Sequence, residues 1–204
     1  MNNLVWQITG RAPADFSSGK WPPENWRGQL AIRLGHRPRR IGILAELALF
    51  GALDCLDAAK ETTLPSDFVL QLCSLRGSVS AISQVLEQNR EGLPMPFTFL
   101  QSLSSQLLSA LSAELNWKGN ASVVLARNPM DLAMLACHQA GGAGMLLGWV
   151  EEEMPVRSAW LRLRPCTTPI SGFVTATSFG EMVAPDTHYW RLRQGAMEIA
   201  PAGD

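Results

Sequence analysis

Little in this sequence declares a chemistry. Charged residues make up only 17% of the 204, with 17 basic against 18 acidic side chains and a net charge of −1. A balance that close gives no global field for nucleic acid or an anionic membrane, and no nucleic-acid partner is expected. The four cysteines (Cys55, Cys73, Cys137 and Cys166) and three histidines are scattered, with no CxxC pair. No metal or other cofactor is therefore expected, and the thiols read as buried and reduced. Cys137 and His138 are neighbours, but consecutive helix residues point about 100° apart, which is poor geometry for a nucleophile and its base. No apolar run reaches ~18 residues without a charge, so no membrane span is expected. The opening "MNNLVWQITG" lacks the basic start and apolar block of a signal peptide, and the chain reads as cytoplasmic. A nucleophile elbow of the GxSxG type, a phosphate-binding loop, a dinucleotide fingerprint and an HExxH zinc motif are all missing. Internal repeats and low-complexity segments are missing too.

What is present is apolar pattern. Hydrophobic residues are 47% of the chain, enough for one α/β core and short for two, so residues 1–204 read as a single domain. Leu4 to Ile8 suggests a first strand, and residues 9–40 are irregular, rich in Pro, Gly, Trp and Arg. A long helix follows from near Arg40 through "IGILAELALFGALDCLDAAK". Its polar residues Glu46, Asp57 and Lys60 share one side, so most of its surface is buried. "DFVLQLCSL" predicts a strand, and "SVSAISQVLEQNR" a helix entered through Gly77. "FLQSLSSQLLSALSAELNW" predicts one helix, with Leu100, Leu103, Leu107, Leu111 and Leu115 at spacings of three and four. Ser102, Ser105, Ser109 and Ser112 lie on its other side, which implies close packing, a solvated face, or a helix bordering a channel or partner. "SAWLRLRPC", "GFVTAT" and "HYWRLRQGAMEIA" alternate as strands of a sheet's outer part. The interleaving gives an α/β fold with a mixed β-sheet covered by helices on both faces.

The stretch "GNASVVLARNPMDLAMLACHQAGGAGMLLGWVEEE" is the most informative. A strand, Ser122 to Ala126, runs through Arg127-Asn128-Pro129 into a helix, Met130 to Gln139, and a second apolar strand closes at Glu151. A strand-to-helix turn is a common mount for a nucleophile. Here it carries an amide beside a proline, and neither attacks. "AGGAG" follows a helix and precedes a strand, the order of a tight return rather than a phosphate cradle. The acids Glu151, Glu152 and Glu153 read as a solvated strand end rather than a metal cluster. Arg27, Arg33, Arg37, Arg39 and Arg40 gather in one basic segment, either solvent-exposed or facing an acidic partner.

The order of these elements resembles a known family. "RPRRIGILAELALFGALD", "LCSLRGSVSAISQVL", "PFTFLQSLSSQLLSAL" and the 119–153 stretch are similar, in sequence order, to the N-terminal half of β-ketoacyl synthases of thiolase-like fold. The resemblance covers about residues 3–153 and is greatest to short, degenerate members that act as chain-length-factor-type partners in type II polyketide and aryl polyene pathways. It implies a thiolase-like half-fold. Active members carry a cysteine at the strand-to-helix junction. That place falls on Asn128, or on Arg127 with a one-residue slip, and neither side chain forms an acyl intermediate. The family's C-terminal catalytic histidines are also unmatched, since only His188 lies beyond residue 138.

The resemblance thus implies no catalytic residue and a heterodimer with a full-length ketosynthase. By position, the seam strand is Ala121 to Ala126, with Ser122, Val124 and Ala126 in it. The tunnel-bordering helix is Leu100 to Leu115, with Ser105, Ser109 and Ser112. A bare half-sheet would leave apolar surface for the partner to cover, and the basic segment is a candidate contact for an acyl carrier protein. Two alternatives remain: an acyltransferase or thioesterase using Cys137, His138 or Ser102, and a stand-alone acyl-binding scaffold.

Overall fold

Alternating burial along Val5–Ala12 makes the first strand, β1, longer than the five residues its apolar pattern suggests. It is seen in a computed structural model that describes residues 4–13, 21–93, 95–140, 142–153 and 155–202. The segment expected to be irregular contains a helix, α1 (Trp26–Leu34), which buries only Trp26 and Leu30 and stops at Gly35 with φ 72°. Two apolar residues four apart are a weak helical signal among so many prolines and arginines. Helix α2 (Ile43–Ala58) buries ten of its sixteen residues, as its nearly continuous apolar surface requires.

Strand β2 (Val69–Ser74) is buried throughout. Helix α3 (Val79–Arg90) buries only Ala81. The expected single serine-rich helix is two helices, α4 (Pro96–Gln101) and α5 (Ser104–Glu114). Leu103 is extended (φ −88°, ψ 130°) at the break, and the Phe99 carbonyl accepts both the Ser102 amide at 3.1 Å and Ser102 Oγ at 2.7 Å, which closes the turn there. The leucine stripe is accordingly split: Leu107, Leu111 and Leu115 are buried, whereas Leu100 is exposed.

Strand β3 (Asn120–Leu125), helix α6 (Pro129–Ala140) and strand β4 (Met145–Glu151) follow in the expected order. After them come β5 (Arg157–Cys166), β6 (Val174–Thr175), a short helix α7 (Phe179–Met182), β7 (Tyr189–Arg193) and β8 (Ala196–Ala200). The last two form a hairpin whose turn residues Gln194 and Gly195 have φ 52° and 79°. Two positive values give the twist that a two-residue hairpin needs.

Among the described residues, one mixed sheet has the order β3-β2-β4-β5-β1-β7-β8-β6. The pairs β2–β3 and β2–β4 are parallel and the others antiparallel. The fold class is α/β as expected, but β5 is central, beside β1, rather than outer. The arginines of β5 hid this. Arg162 is fully buried, with Nε 2.9 Å from one Glu61 oxygen, Nη2 3.1 Å from the other and its guanidinium 3.9 Å over the Phe68 ring. A cation so paired can occupy a core position that an unpaired one cannot.

One face of the sheet is covered by α1, α2 and α5, the other by α6, α7 and the residues around them. Trp160 joins α2 to the sheet. A Cβ on Gly51 would lie 2.3 Å from its Cδ1, and one on Gly148, its cross-strand neighbour, 2.5 Å from Cζ2. The indole thus fits only between two glycines.

The far strands also correct the expectation of a bare half-sheet. Residues of β7 and β8, including Trp190, Met197 and Ile199, join Ala133, Ala136 and Cys137 of α6 in one core. The outward side of α6 carries Asp131, Leu135, His138 and Gln139, so it is largely polar. The apolar surface left over lies elsewhere.

Candidate functional site

The strand-to-helix turn forms where the sequence places it. Strand β3 pairs with β2 in parallel register from Val69↔Asn120 to Ser74↔Leu125, and the Ala126 amide still reaches the Ser74 carbonyl at 3.1 Å. Beyond it Arg127 and Asn128 are exposed, and Pro129 begins α6. The Asn128 side-chain oxygen accepts from the Met130 amide at 3.1 Å, while its backbone carbonyl accepts from Asp131 at 3.2 Å. Asn128 is therefore the cap of α6, and Pro129 needs no donor at the first helical position. The amide at the elbow satisfies backbone and offers no nucleophile.

The alternative nucleophiles are placed against catalysis. Burial pushes the Cys137 thiol up to about 12 and Cys73 to about 11, and Cys55 also rises for the same reason. His138 is exposed on the polar side of α6, and Ser102 bonds its own helix. Cys137, His138 and Ser102 are not assembled into a site.

The residues assigned to the seam and tunnel do come together, at one sheet edge. Among the described residues β3 pairs only with β2. Its outer backbone groups lack a partner strand, and Ser122 and Val124 are half-buried on it. Ser122 Oγ is buried with no hydrogen-bond partner, as is Gln71 Oε1 directly across the strand pair. Ser105 and Ser109 are exposed on α5, and Ser109 shares an open groove with Ser112, Ala113 and Ala121. Ser112 donates to the Trp117 carbonyl, which closes the turn from α5 towards β3.

A second surface, missed in the sequence, adjoins this edge. Helices α3 and α4 pack on each other yet expose Ile82, Leu86, Met95, Phe97, Phe99 and Leu100. Leu75 and Leu125, 48% and 63% exposed, sit at the ends of β2 and β3 and share a groove with Arg127. An exposed apolar stretch of this kind on an otherwise well-buried protein marks a contact surface. The sequence carried no signal for it, because the exposure of Ile82 and Leu86 is visible only in the structure.

The three acids are neither a solvated end nor a metal cluster. Glu151 accepts from Ser74 Oγ (3.1 Å), the Leu75 amide (2.5 Å) and Trp149 Nε1 (3.2 Å). Glu152 accepts from the amide and hydroxyl of Ser80 in the first turn of α3, and Glu153 pairs with Arg76 at 2.9 Å. Together they clasp the connection from β2 into α3, with a carboxylate at the helix's positive end. Among the described residues no cluster suited to a metal occurs.

The basic segment divides. Arg27 pairs with Glu46 at 2.9 Å, and Arg33 with Asp54 and Asp57 at 2.5 and 2.8 Å, so both hold α1 to α2. Arg37, Arg39 and Arg40 are exposed and make no ion pair among the described residues, although Arg40 lies 4.5 Å over the Phe97 ring.

No protein-family profile and no curated protein sequence matches the chain. Solved structures do. A ketosynthase, ApeO, in complex with its chain length factor, ApeC, from Xenorhabdus doucetiae matches with TM-score 0.56 at 15% identity, over 99% of this chain and 100% of the matched one. The ishigamide ketosynthase/chain length factor matches with TM-score 0.57 at 14% identity over 80% of this chain, which spans 59% of that one. The AntDE:AntF assembly, a type II polyketide acyl carrier protein in complex with its ketosynthase bound to the hexaketide, gives TM-score 0.54 at 12% identity, over 87% of this chain and 70% of that one. The fold is thus the thiolase-like α/β fold found in ketosynthase and chain-length-factor assemblies. No helix among the described residues is long and apolar enough to cross a membrane.

Proposed function

We propose that this chain, acting as one unit over residues 1–204, is a non-catalytic, chain-length-factor-like cytoplasmic subunit. It pairs with a full-length ketosynthase and helps shape the tunnel for a growing acyl or polyene chain, in type II polyketide, aryl polyene or fatty-acid-like biosynthesis. One observation carries the reading: the unpaired β3 edge runs into the exposed apolar surface of Leu75, Leu125, α3 and α4. An edge strand with apolar flanks accepts another chain, and natural proteins seldom leave one uncovered. A match covering a whole chain in a ketosynthase/chain-length-factor complex supports the same assignment.

In the complex, Ser122, Val124 and Ala126 lie at the seam, and Ser105 and Ser109 face the tunnel side. Ser112 is retained as part of that helix, although its hydroxyl serves the α5–β3 turn. Arg37, Arg39 and Arg40 are the arginines open to an acidic carrier protein, with Arg27 and Arg33 holding the helices beneath them. The test is co-expression with the ketosynthase encoded beside it, followed by sizing. A one-to-one complex is expected, while a well-behaved monomer indifferent to that ketosynthase overturns the proposal. Within the complex, Ser109→Phe should leave assembly intact and shorten the products, and unchanged product length would remove α5 from the tunnel.

A further inference from the structure

A cavity of about 290 Å³ opens between Trp21, the start of α6, α7 and the ends of β4 and β5. Three rings, Trp21, Trp149 and Phe179, stand among its prolines and small apolar residues, and each is held. Trp149 donates to Glu151 at 3.2 Å and meets Phe179 edge-on, with centroids 5.6 Å apart. Trp21 donates to the Ser158 carbonyl at 2.7 Å and stacks near Phe50 at 5.3 Å. Ala159 lies in the wall and is itself buried. Among the described residues the one charged side chain lining the space is Arg157, whose guanidinium lies 4.1 Å over the Trp149 ring.

Arg157 stands directly across the β4–β5 ladder from Glu151, which is the obvious carboxylate to neutralise it. Yet Glu151 turns the other way to Ser74, Leu75 and Trp149 Nε1, and no ion pair joins the two. A guanidinium stacked by its face keeps its N–H edge for a planar acceptor, and two parallel hydrogen bonds to a carboxylate suit that edge. A small apolar pocket with pre-positioned rings and one convergent polar group has the composition of a ligand site, at the lower end of the usual ~300–1,000 Å³.

We infer that this cavity is a binding site for a small aromatic or conjugated carboxylate, with the ring between Trp149, Phe179 and Trp21 and the carboxylate on Arg157. The site is separate from the seam and the serine-bearing helix, so it stands whether or not a ketosynthase is the partner. Its volume suits a single substituted ring. The elbow contributes Pro129 to the wall, which places the ligand beside the point where α6 begins.

Isothermal titration of the full chain, alone or in its complex, with trans-cinnamate and the neutral isostere cinnamamide tests the inference. Saturable one-site binding of cinnamate is expected, with cinnamamide weaker by about tenfold or more, the loss of one charge-assisted contact. Arg157→Gln should remove that preference, and Arg157→Lys should restore part of it. Ala159→Leu should block both ligands by filling the cavity. Equal affinity for acid and amide, no saturable binding by the folded wild-type chain, or binding that survives in both Arg157→Gln and Ala159→Leu overturns the inference. If Ala159→Leu fails to fold, Phe179→Leu, at a half-buried surface helix, should instead weaken both ligands by removing one of the rings they pack on, and unchanged affinity for both overturns the inference.

Discussion

Asn128 stands where the family resemblance puts a nucleophile, and its side chain spends its acceptor on the Met130 amide. Losing that cap in Asn128→Ala should destabilise the fold by about 1 kcal/mol, measurable by urea unfolding. Asn128→Cys should give no condensation, because a lone thiol lacks the base and oxyanion donors that supply most of the stabilisation. Acyl uptake from a radiolabelled thioester, with product formation, reads that outcome directly. The native cysteines give a companion test. Cys55, Cys73 and Cys137 are buried and hold raised pKa values, whereas Cys166 is half-exposed. The thiolate is the reactive form, so alkylation of the native protein at mildly alkaline pH should label Cys166 and spare the other three until denaturant is added. Peptide mapping by mass spectrometry would show it, and rapid labelling of Cys137 would contradict its burial.

Among the elements, α2 and α5 bear the core. Leu107 is 3% exposed within it, so Leu107→Ala should cost roughly 2–5 kcal/mol. Gly51→Ala should cost about 1–3 kcal/mol or more through overpacking, since its methyl would meet Trp160 and Ser158. Helix α7 should respond to pH. Glu181 accepts from the hydroxyl and amide of Thr177, each at 2.7 Å, and those bonds hold its carboxyl below the ordinary value. A depressed carboxylate adds stability above its unfolded pKa and loses it as pH falls through the lower folded value. The cap should therefore loosen only in acid below the usual carboxylate range, and Glu181→Gln should abolish that step in the amide-exchange rates of α7. These elements were unequally legible. Long apolar or alternating runs announced α2, β2, β3, α6 and β4 because burial on a fixed period leaves a direct trace. Helix α7 was missed although Ser178 and Glu181 spell a capping box, with Ser178 Oγ accepting from the Glu181 amide at 3.3 Å. The α4–α5 break was hidden because leucines at spacings of three and four fit one helix or two equally well. Arg157 was invisible as a site residue because its meaning comes from a ring on the neighbouring strand.

At the scale of the whole molecule, the apolar residues exposed on α3 and α4, with Leu75 and Leu125, adjoin the free β3 edge. Interfaces that bind obligate partners bury roughly 2,000–5,000 Å² and are strongly apolar. Expressed alone, the chain should be aggregated or a weak self-dimer; with its ketosynthase, it should elute as a defined heterodimer. Val124→Asp, on the half-buried edge strand, should abolish that complex, because an unpaired charge in an apolar seam costs several kcal/mol. Analytical ultracentrifugation of the co-expressed pair gives the answer, and an intact complex with Val124→Asp would move the seam away from β3.

The place of β1 in the sheet also sets a schedule. Its partners are β5 and β7, with Val5 opposite both Cys166 and Arg191, so the first strand made is among the last to find its neighbours. At about 5–20 residues per second of synthesis, the ~150 residues between them keep that strand waiting for on the order of ten to thirty seconds. Through that interval Trp6 and Ile8, both buried in the finished protein, stay open to solvent or to a chaperone, while α2, β2, β3 and β4 emerge from the ribosome with their partners close behind. A slow translation pause after residue 153 would lengthen the exposure, and a faster passage through β5 would end it.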